Sequence, residues 1–160
     1  MRVCLQRVSR SSVTVAGEVV SSIGAGYLIL LGVTVGDGGD EVEMLTSKIA
    51  NLRILDGEHG IMNRSALEYM AADPESVAML IVSQFTLYGD VRKGRRPSWI
   101  DAAPPAVAKP MVETFCKAMG NLGFHVEQGV FGAEMAVELI NDGPVTMWLD
   151  SDELRKPRRG

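Results

Sequence analysis

Residues 5–33 read LQRVSRSSVTVAGEVVSSIGAGYLILLGV, and this stretch decides the fold. It contains two runs rich in β-branched residues, Leu5–Val15 and Glu18–Ile23, which are separated only by Ala16-Gly17. Two such runs around a short break predict a tight β-hairpin. After a Gly-Ala-Gly turn, Tyr27–Val33 is apolar almost throughout, which is typical of a strand buried on both faces. The chain is therefore expected to build its core on a β-sheet.

Two amphipathic helices are expected to cover this sheet. The first follows the loop at Asp37–Asp40 and carries one apolar face at helical spacing: Val42, Leu45, Ile49 and Leu52. The second begins at Pro104-Pro105 or at Pro110, because proline suits the first turn of a helix. Its predicted buried face contains Val107, Met111, Phe115, Met119 and Leu122.

The remaining pattern predicts further strands. Val77–Val82 is a second apolar run, and two short strands, Arg53–Leu55 and Ile61-Met62, flank a turn at residues 56–60. Residues 67–76 fit no clear pattern. The closing strands are expected at Val126, Glu134–Ile140 and Val145–Leu149, with a turn at Asn141–Pro144 between the last two.

These elements predict one mixed α/β domain over residues 1–150. Its β-sheets would form a sandwich or partial barrel, with the two main amphipathic helices packed on the sheet faces. Residues 151–160 are polar and basic and contain Pro157, so we expect a flexible tail there.

Composition narrows the class of protein. The content of 46% hydrophobic and 22% charged residues is that of a globular domain, and no apolar run reaches membrane-spanning length. The chain starts directly in a strand pattern without the features of a secretory signal. Cys4 and Cys116 have no motif spacing, which favours a reducing cytoplasm and no disulfide. No membrane partner is expected.

The charge is unevenly distributed. The net charge of −4 argues against a nonspecific nucleic-acid binder, and no DNA partner is expected. Half of the 16 basic residues nevertheless occupy two segments of five residues each, and such segments can hold a polyanion locally. These residues are Arg92, Lys93, Arg95 and Arg96, and then Arg155, Lys156, Arg158 and Arg159.

Several motifs, in this order, resemble the D-aminoacyl-tRNA deacylases of bacteria and eukaryotes. The resemblance covers residues 1 to about 150 and depends mainly on two motifs, Ser83–Leu87 (SQFTL) and Asn141–Thr146 (NDGPVT). Three further segments support it: MRV…QRV at residues 1–8, RKGRRPS at 92–98 and DAAPP at 101–105. The resemblance implies a homodimeric hydrolase that cleaves the ester of D-aminoacyl-tRNA and releases free D-amino acid and tRNA.

The first motif would form the catalytic pocket. By themselves, polar residues at the end of a buried strand usually bond the neighbouring backbone. The resemblance implies instead that Ser83, Gln84, Phe85 and Thr86 line the pocket for the terminal adenosine and the aminoacyl ester. Phe85 could stack on the adenine, as aromatic residues do with unpaired RNA bases, or could belong to the core.

The sequence contains no complete nucleophile and base. A Thr86 hydroxyl would need a general base, but neither His59 nor His125 belongs to a recognisable triad. No cluster has metal-ligand spacing, so neither a metal nor a cofactor is expected. The resemblance implies that the 2′-hydroxyl of the substrate adenosine assists the attack. Backbone N–H groups near Phe85 and Thr86 would then stabilise the oxyanion.

The second motif would select chirality. Gly143-Pro144 could be an ordinary turn, since only about 5–6% of X–Pro bonds are cis. The resemblance implies a cis bond whose two carbonyl groups enter the partner subunit's site and exclude an L side chain. Glycine has no Cβ, so leakage onto misacylated glycyl-tRNA and weak discrimination among D side chains are expected. Asn141, Val145 and Thr146 would support this motif.

Two basic features have open interpretations. Arg7 either braces the Gly143–Pro144 segment through its carbonyl groups or is an exposed strand arginine. The segment Arg92–Arg96 is either a solvated loop or a contact to tRNA phosphates, and beside a site for an RNA 3′ end the second interpretation is favoured.

Three alternative functions compete with chiral editing. The chain could bind tRNA 3′ ends without turnover, or could be the chirality-relaxed sister deacylase, in which the Gly-Pro bond is trans. That sister family has a different middle motif, so the intact Ser83–Thr86 favours the stricter enzyme. An esterase unrelated to RNA is disfavoured by the missing base.

Overall fold

A computed structural model describes residues 1–157 of the protein. This part of the chain contains eight strands: β1 (Arg2–Val15), β2 (Glu18–Ile23), β3 (Gly26–Gly32), β4 (Leu55–Asp56), β5 (Met62–Arg64), β6 (Ala78–Ser83), β7 (His125–Gln128) and β8 (Met135–Asp150). It also contains four α-helices: α1 (Gly39–Asn51), α2 (Ala66–Ala72), α3 (Pro105–Asn121) and α4 (Ser151–Arg155). Short 3₁₀ turns cover Glu58–Gly60 and Phe85–Tyr88.

Strand β1 organises the main sheet. Its first half pairs with β3 and its second half with β2, while β8 pairs along its whole opposite edge, all antiparallel. Strands β3, β6 and β7 continue the sheet in parallel. The six strands form a nearly closed, barrel-like sheet, which confirms the predicted mixed α/β class and partial barrel.

The opening hairpin is confirmed. Strands β1 and β2 are joined by Ala16 and Gly17, which have φ angles of 50° and 85°. Both residues therefore lie in the left-handed region that two-residue hairpin turns require, and glycine occupies this region without steric cost. The two apolar strands are also confirmed, because β3 and β6 are almost entirely buried.

Two apolar layers flank the sheet. One face of β1, β3 and β6 packs against α1 and α3, and it contains Leu5, Ile29 and Met79 with Phe115 of α3. The other face lines the inside of the barrel, where Leu28 and Leu80 meet β2 and β8 among other buried residues. The predicted packing of two amphipathic helices on the sheet is therefore confirmed.

Helix α2 occupies the segment that the sequence pattern left unassigned. Its start is a capping box, in which Ser65 accepts from the Glu68 N–H at 3.2 Å and the Glu68 carboxylate accepts from the Ser65 N–H at 2.7 Å. The Ser-x-x-Glu spacing is a sequence signal for a helix start, so this helix was detectable.

The predicted turn between the last two strands is wrong. Strand β8 is continuous, and both of its halves pair with β1 rather than with each other. Asn141 pairs with Val8, and Thr146 pairs with Gln6. Five residue steps along β8 are therefore matched by only two steps along β1, which runs in the opposite direction. The extra residues protrude as a bulge, and this kink contains Gly143-Pro144. Because β1 has 14 residues, it is long enough to template both halves.

The predicted buried face of the second helix is partly wrong. Phe115 and Met119 are buried, but Val107 and Leu122 are 40% and 37% exposed. Val107 lies in the first turn of α3, and Leu122 lies beyond its last residue. The buried face runs instead through Val112 and Cys116.

The flexible tail is wrong for its first five residues, which form α4. Ser151 is fully buried, its N–H donates to the Met1 carbonyl at 2.9 Å, and its Oγ accepts from the Met1 ammonium at 2.7 Å. Arg155 forms an ion pair with Glu41 of α1. These contacts hold the segment against the domain. Residues 158–160 of the predicted tail lie outside the described residues.

Among residues 1–157, no helix combines the length and the apolar character that crossing a membrane requires.

Candidate functional site

A cavity of about 520 Å³ opens where β6 ends. Ser83, Gln84 and Phe85 line it on one side, as the first motif predicts. The rest of its wall is mostly apolar and comes from β3, the start of α3 and the loop before β8: Leu31, Val33, Ala102, Ala103, Pro105, Ala108, Val112, Phe131, Ala133 and Met135. The three consecutive motif residues are thus brought together at a pocket of ligand size.

Thr86 lies next to this pocket rather than in its lining. The Gln84 N–H donates to the Leu31 carbonyl at 2.8 Å, which ends the strand pairing, and the chain then turns. The Gln84 amide donates to the Thr86 hydroxyl, and Thr86 is exposed. An amide cannot remove a proton from a hydroxyl, so this partner does not activate Thr86 as a nucleophile.

Neither histidine approaches Thr86. His125 pairs with Ala78 at the opposite end of β6 and forms an ion pair with Glu127 when it is protonated. His59 occupies the 3₁₀ turn between β4 and β5. No carboxylate in residues 1–157 hydrogen-bonds the Thr86 hydroxyl. In this part of the chain, therefore, no histidine or carboxylate lies in position to act as a general base for the Thr86 hydroxyl.

The turn after Gln84 leaves backbone donors available. Phe85 and Thr86 are the first two residues of the 3₁₀ turn. The hydrogen bonds of this turn are donated by residues that follow them; for example, the Gly89 N–H donates to the Thr86 carbonyl at 2.9 Å. Within the described chain, the N–H groups of Phe85 and Thr86 donate to no backbone acceptor outside the regular elements. The first N–H groups of a helical turn are unsatisfied by geometry, and such groups can bind an anionic oxygen.

Phe85 belongs to the pocket rim, so its interpretation as a core residue is wrong. Its side chain is 57% exposed and meets Trp99 edge to face, with ring centroids 5.3 Å apart. Trp99 also lines the cavity, although no motif in the sequence indicates it. Gly89 permits this arrangement, because a Cβ at Gly89 would lie 2.6 Å from the Trp99 ring.

Arg7 braces the kink, so its interpretation as an exposed arginine is wrong. The residue is only 6% exposed. Its Nε donates to the Asp142 carbonyl at 3.1 Å and lies 2.9 Å from the Asp142 carboxylate, while Nη2 donates to the Gly143 carbonyl at 3.3 Å. On its other side, Nη1 donates to the Ile54 carbonyl at 2.8 Å and to Asp56 at 3.2 Å.

The neighbouring motif residues hold both ends of the kink. The Asn141 amide donates to the Arg7 carbonyl at 2.9 Å and to the Val145 carbonyl at 3.0 Å. Val145 is buried, and the Thr146 hydroxyl accepts from Gln6 at 3.2 Å. The Gly143–Pro144 peptide bond is cis, and both residues are exposed. The kink is thus fixed at its base and presented to solvent.

Within one chain, no residue of the kink lines the cavity. Ser83 pairs with Leu31 and Leu31 with Val3, whereas the kink lies beside Arg7. Four residues of β1 separate these levels, about 13 Å at the usual strand rise. The start of β8 does reach the cavity, through Met135, but Asn141–Thr146 do not line it. The two predicted parts of the site are therefore not brought together by a single chain.

The basic loop is exposed next to the pocket wall. Arg92 is neutralised by Asp90 through bonds of 2.8 and 2.7 Å, and the same contact lowers the pKa of Asp90 to about 2. Asp90 pairs with Ser98, which places the loop next to Trp99. Lys93, Arg95 and Arg96 have no carboxylate partner in residues 1–157. Three free cations thus remain near the pocket.

The cysteines offer no nucleophile. Cys116 is buried, which raises the pKa of its thiol to about 12, and burial also raises the pKa of the half-buried Cys4. Both thiols are therefore protonated at neutral pH. Across the described residues, no group of three or more His, Cys, Asp or Glu side chains is arranged to hold a metal ion.

Comparison with known proteins gives a consistent result. Residues 4–150 match the family model described as D-Tyr-tRNA(Tyr) deacylase. The chain is 59% identical to a D-aminoacyl-tRNA deacylase of Thermomicrobium roseum over 155 residues, which cover 97% of each chain. It is 52% identical to the D-aminoacyl-tRNA deacylase of Thermus aquaticus, with 96% and 97% of the two chains covered.

Two solved structures share the fold. The c-Myc DNA unwinding element binding protein superimposes with a TM-score of 0.85 at 37% identity, over 94% of this chain and 98% of that one. A probable eukaryotic D-amino acid tRNA deacylase superimposes with a TM-score of 0.77 at 19% identity, over 92% and 97%. The second likeness shows the fold alone.

Proposed function

The chain belongs to the D-Tyr-tRNA(Tyr) deacylase family, and from this premise we propose that it hydrolyses the ester of D-aminoacyl-tRNA. The products are free D-amino acid and tRNA. The observation that carries the proposal is the cavity at the end of β6, lined by Ser83, Gln84 and Phe85. Its volume of about 520 Å³ suits the terminal nucleoside of tRNA, and its apolar wall with the Phe85 and Trp99 rings suits a base.

The chemistry follows from the free backbone donors. With the adenosine in the cavity, the ester carbonyl would lie by the N–H groups of Phe85 and Thr86, which would stabilise the oxyanion. Water attacks the carbonyl carbon, the bond to the adenosine 3′-oxygen breaks, and that oxygen takes up the proton. Because residues 1–157 place no side-chain base beside the Thr86 hydroxyl, the adjacent 2′-hydroxyl of the substrate orients the water and relays the proton.

Thr86→Ala is expected to keep at least about a tenth of the wild-type cleavage rate. The substitution removes the hydroxyl but keeps the Thr86 N–H, and one oxyanion donor is worth on the order of 10²–10³ in rate. Single-turnover cleavage of D-tyrosyl-tRNA measures the effect. Loss of cleavage with intact tRNA binding would show instead that the hydroxyl is the nucleophile.

Chirality is proposed to depend on a homodimer. The kink is braced and exposed but does not line the cavity of its own chain, so a second copy would have to bring it to the site. There its carbonyl groups would occupy the space that an L side chain needs, whereas a D side chain points away. Glycine escapes the same wall, so glycyl-tRNA is a proposed secondary substrate.

The basic loop is proposed to contact tRNA phosphates. Reversing Lys93, Arg95 and Arg96 to Glu is expected to weaken tRNA binding at least about tenfold. It should also reduce the slope of log K against log salt by about one unit per lost phosphate contact.

Lys48 and Lys117, both exposed on helices, provide the control when they are reversed together. A single-stranded DNA of matched length tests whether the loop selects RNA. An unchanged salt slope in the loop variant would exclude the loop from the interface.

Release of labelled amino acid tests the proposed function. D-tyrosyl-, L-tyrosyl- and glycyl-tRNA are each incubated with the protein at equal concentration. Cleavage of the D-ester and the glycyl ester but not of the L-ester is expected. Binding without release would indicate a tRNA-end binding module, and equal cleavage of both enantiomers would indicate the chirality-relaxed deacylase. Such an activity belongs in the cytoplasm, where charged tRNA is found.

A further inference from the structure

We propose that Asp56, on the β4–β5 hairpin, is a positioning residue that controls how well the protein rejects L-amino acids. The inference rests on the proposed function, in which the Gly143 carbonyl belongs to the wall that excludes an L side chain. Asp56 does not touch the kink. It acts through Arg7, which contacts Asp56 on one side and Gly143 on the other.

Arg7 is a rigid connector between these two elements. Its guanidinium is planar, and its donors are fixed relative to one another. One side is held by the Ile54 carbonyl and the Asp56 carboxylate, and the other by Asp142 and the Gly143 carbonyl. The bond to Gly143, at 3.3 Å, is the longest of these contacts. A small rotation of the guanidinium would therefore release Gly143 first.

The anchor at Asp56 is itself fixed. The Tyr69 hydroxyl of α2 donates to the Asp56 carbonyl at 2.6 Å, and the Arg64 guanidinium lies 4.5 Å from the centre of the Tyr69 ring. The Asp56 side chain is 52% exposed, so its alteration opens no cavity in the core. The residue is thus held firmly enough to position Arg7 without being needed for packing.

A further acceptor lies next to Arg7. Tyr27 is the cross-strand partner of Arg7 in the β1–β3 register, is fully buried, and its hydroxyl has no hydrogen-bond partner in the described chain. Cross-strand partners have adjacent side chains. If the charge on Asp56 is lost, the unpartnered Tyr27 oxygen offers the guanidinium an alternative acceptor. A reorientation of the guanidinium would weaken its longest contact first, the 3.3 Å bond from Nη2 to the Gly143 carbonyl.

Asp56→Asn tests the inference. The change keeps the shape of the side chain but removes the charge that strengthens its bond to Arg7. Single-turnover cleavage of L-tyrosyl-tRNA is expected to rise about tenfold, the equivalent of one lost charge-assisted bond. Cleavage of D-tyrosyl-tRNA should stay within about twofold, because the cavity is untouched. Tyr69→Phe removes the hydroxyl that donates to the Asp56 carbonyl, so it should also raise the ratio of L to D cleavage.

Glu58→Gln is the matched control. Glu58 lies on the same hairpin and carries the same charge, but its side chain makes no contact with Arg7. It should leave both rates unchanged, and Asp56→Glu should restore rejection at least in part. A purely structural role of Asp56 would lower both rates together and would contradict the proposal.

Arg7→Lys separates this inference from the proposed function. If Arg7→Lys raises L cleavage and Asp56→Asn does not, the role of Asp56 is wrong while the role of the kink stands. If neither variant changes the ratio of L to D cleavage, bracing of the kink through Arg7 does not control rejection and the role of Asp56 fails, while cleavage of the D-ester, the proposed function, still stands.

Discussion

Ala108→Trp is expected to lower D-aminoacyl-tRNA cleavage by on the order of a hundredfold or more, since displacing a substrate by about 1 Å already has such an effect. Ala108 lies in the first turns of α3, and its side chain lines the cavity beside Ser83–Phe85. An indole there would project into the cavity of about 520 Å³ that is proposed to hold the terminal adenosine. The ester would then lie away from the backbone donors of Phe85 and Thr86.

Ala106→Trp is the matched control for this substitution. Ala106 lies on the same helix, is exposed, and does not line the cavity. Single-turnover cleavage of D-tyrosyl-tRNA is measured for both variants, with thermal unfolding to establish that each is folded. A fully active Ala108→Trp protein would show that the cavity is not the substrate site.

Arg7→Lys is expected to raise cleavage of L-tyrosyl-tRNA by on the order of a hundredfold, which corresponds to about 2.8 kcal/mol. An ammonium keeps the positive charge between Asp56 and Asp142 but cannot reproduce the planar fork of donors. It therefore cannot hold Ile54, Asp142 and Gly143 at once. The Gly143 carbonyl loses its support, and the wall that excludes an L side chain becomes mobile.

Arg10→Lys is the control on the same strand. Arg10 is exposed and its contact to Glu138, at 3.5 Å, lies away from the kink. The ratio of L to D cleavage should change only in Arg7→Lys. Equal ratios in both variants would mean that the bracing of Gly143 does not contribute to rejection.

Local signals in the sequence predicted most of the fold. The hairpin at Ala16-Gly17, the apolar strands β3 and β6, and helix α1 depend on near neighbours, and each has the expected position. Strand β8 was divided wrongly because its two halves look like a hairpin around Asn141–Pro144. Only the length of β1, whose pairs with β8 lie at least 120 residues apart in the chain, shows that both halves pair with the same strand.

Two placements expected from the motifs are found in the structure, whereas the tertiary contacts around them could not be predicted from the sequence. Ser83–Phe85 do line a cavity, and Arg7 does reach the Gly143 carbonyl. Trp99 was missed because a single tryptophan in a polar loop gives no periodic signal. The role of Asp56 could not be inferred either, since it is separated from Arg7 by 49 residues and meets it only through the tertiary fold.

The separation of cavity and kink gives the account its most direct test, a mixed dimer of Ala108→Trp and Arg7→Lys chains. The two chains carry different affinity tags, are coexpressed, and are purified over both tags in turn. In this dimer the only open cavity belongs to the Arg7→Lys chain, and the only braced kink belongs to the Ala108→Trp chain.

Cleavage of D- and L-tyrosyl-tRNA by this mixed dimer is then measured in single turnover. If the kink acts across subunits, the mixed dimer cleaves the D-ester and rejects the L-ester as wild type does, although the Arg7→Lys homodimer accepts it. Cleavage of the L-ester at the rate of the Arg7→Lys homodimer, per open cavity, would contradict the account.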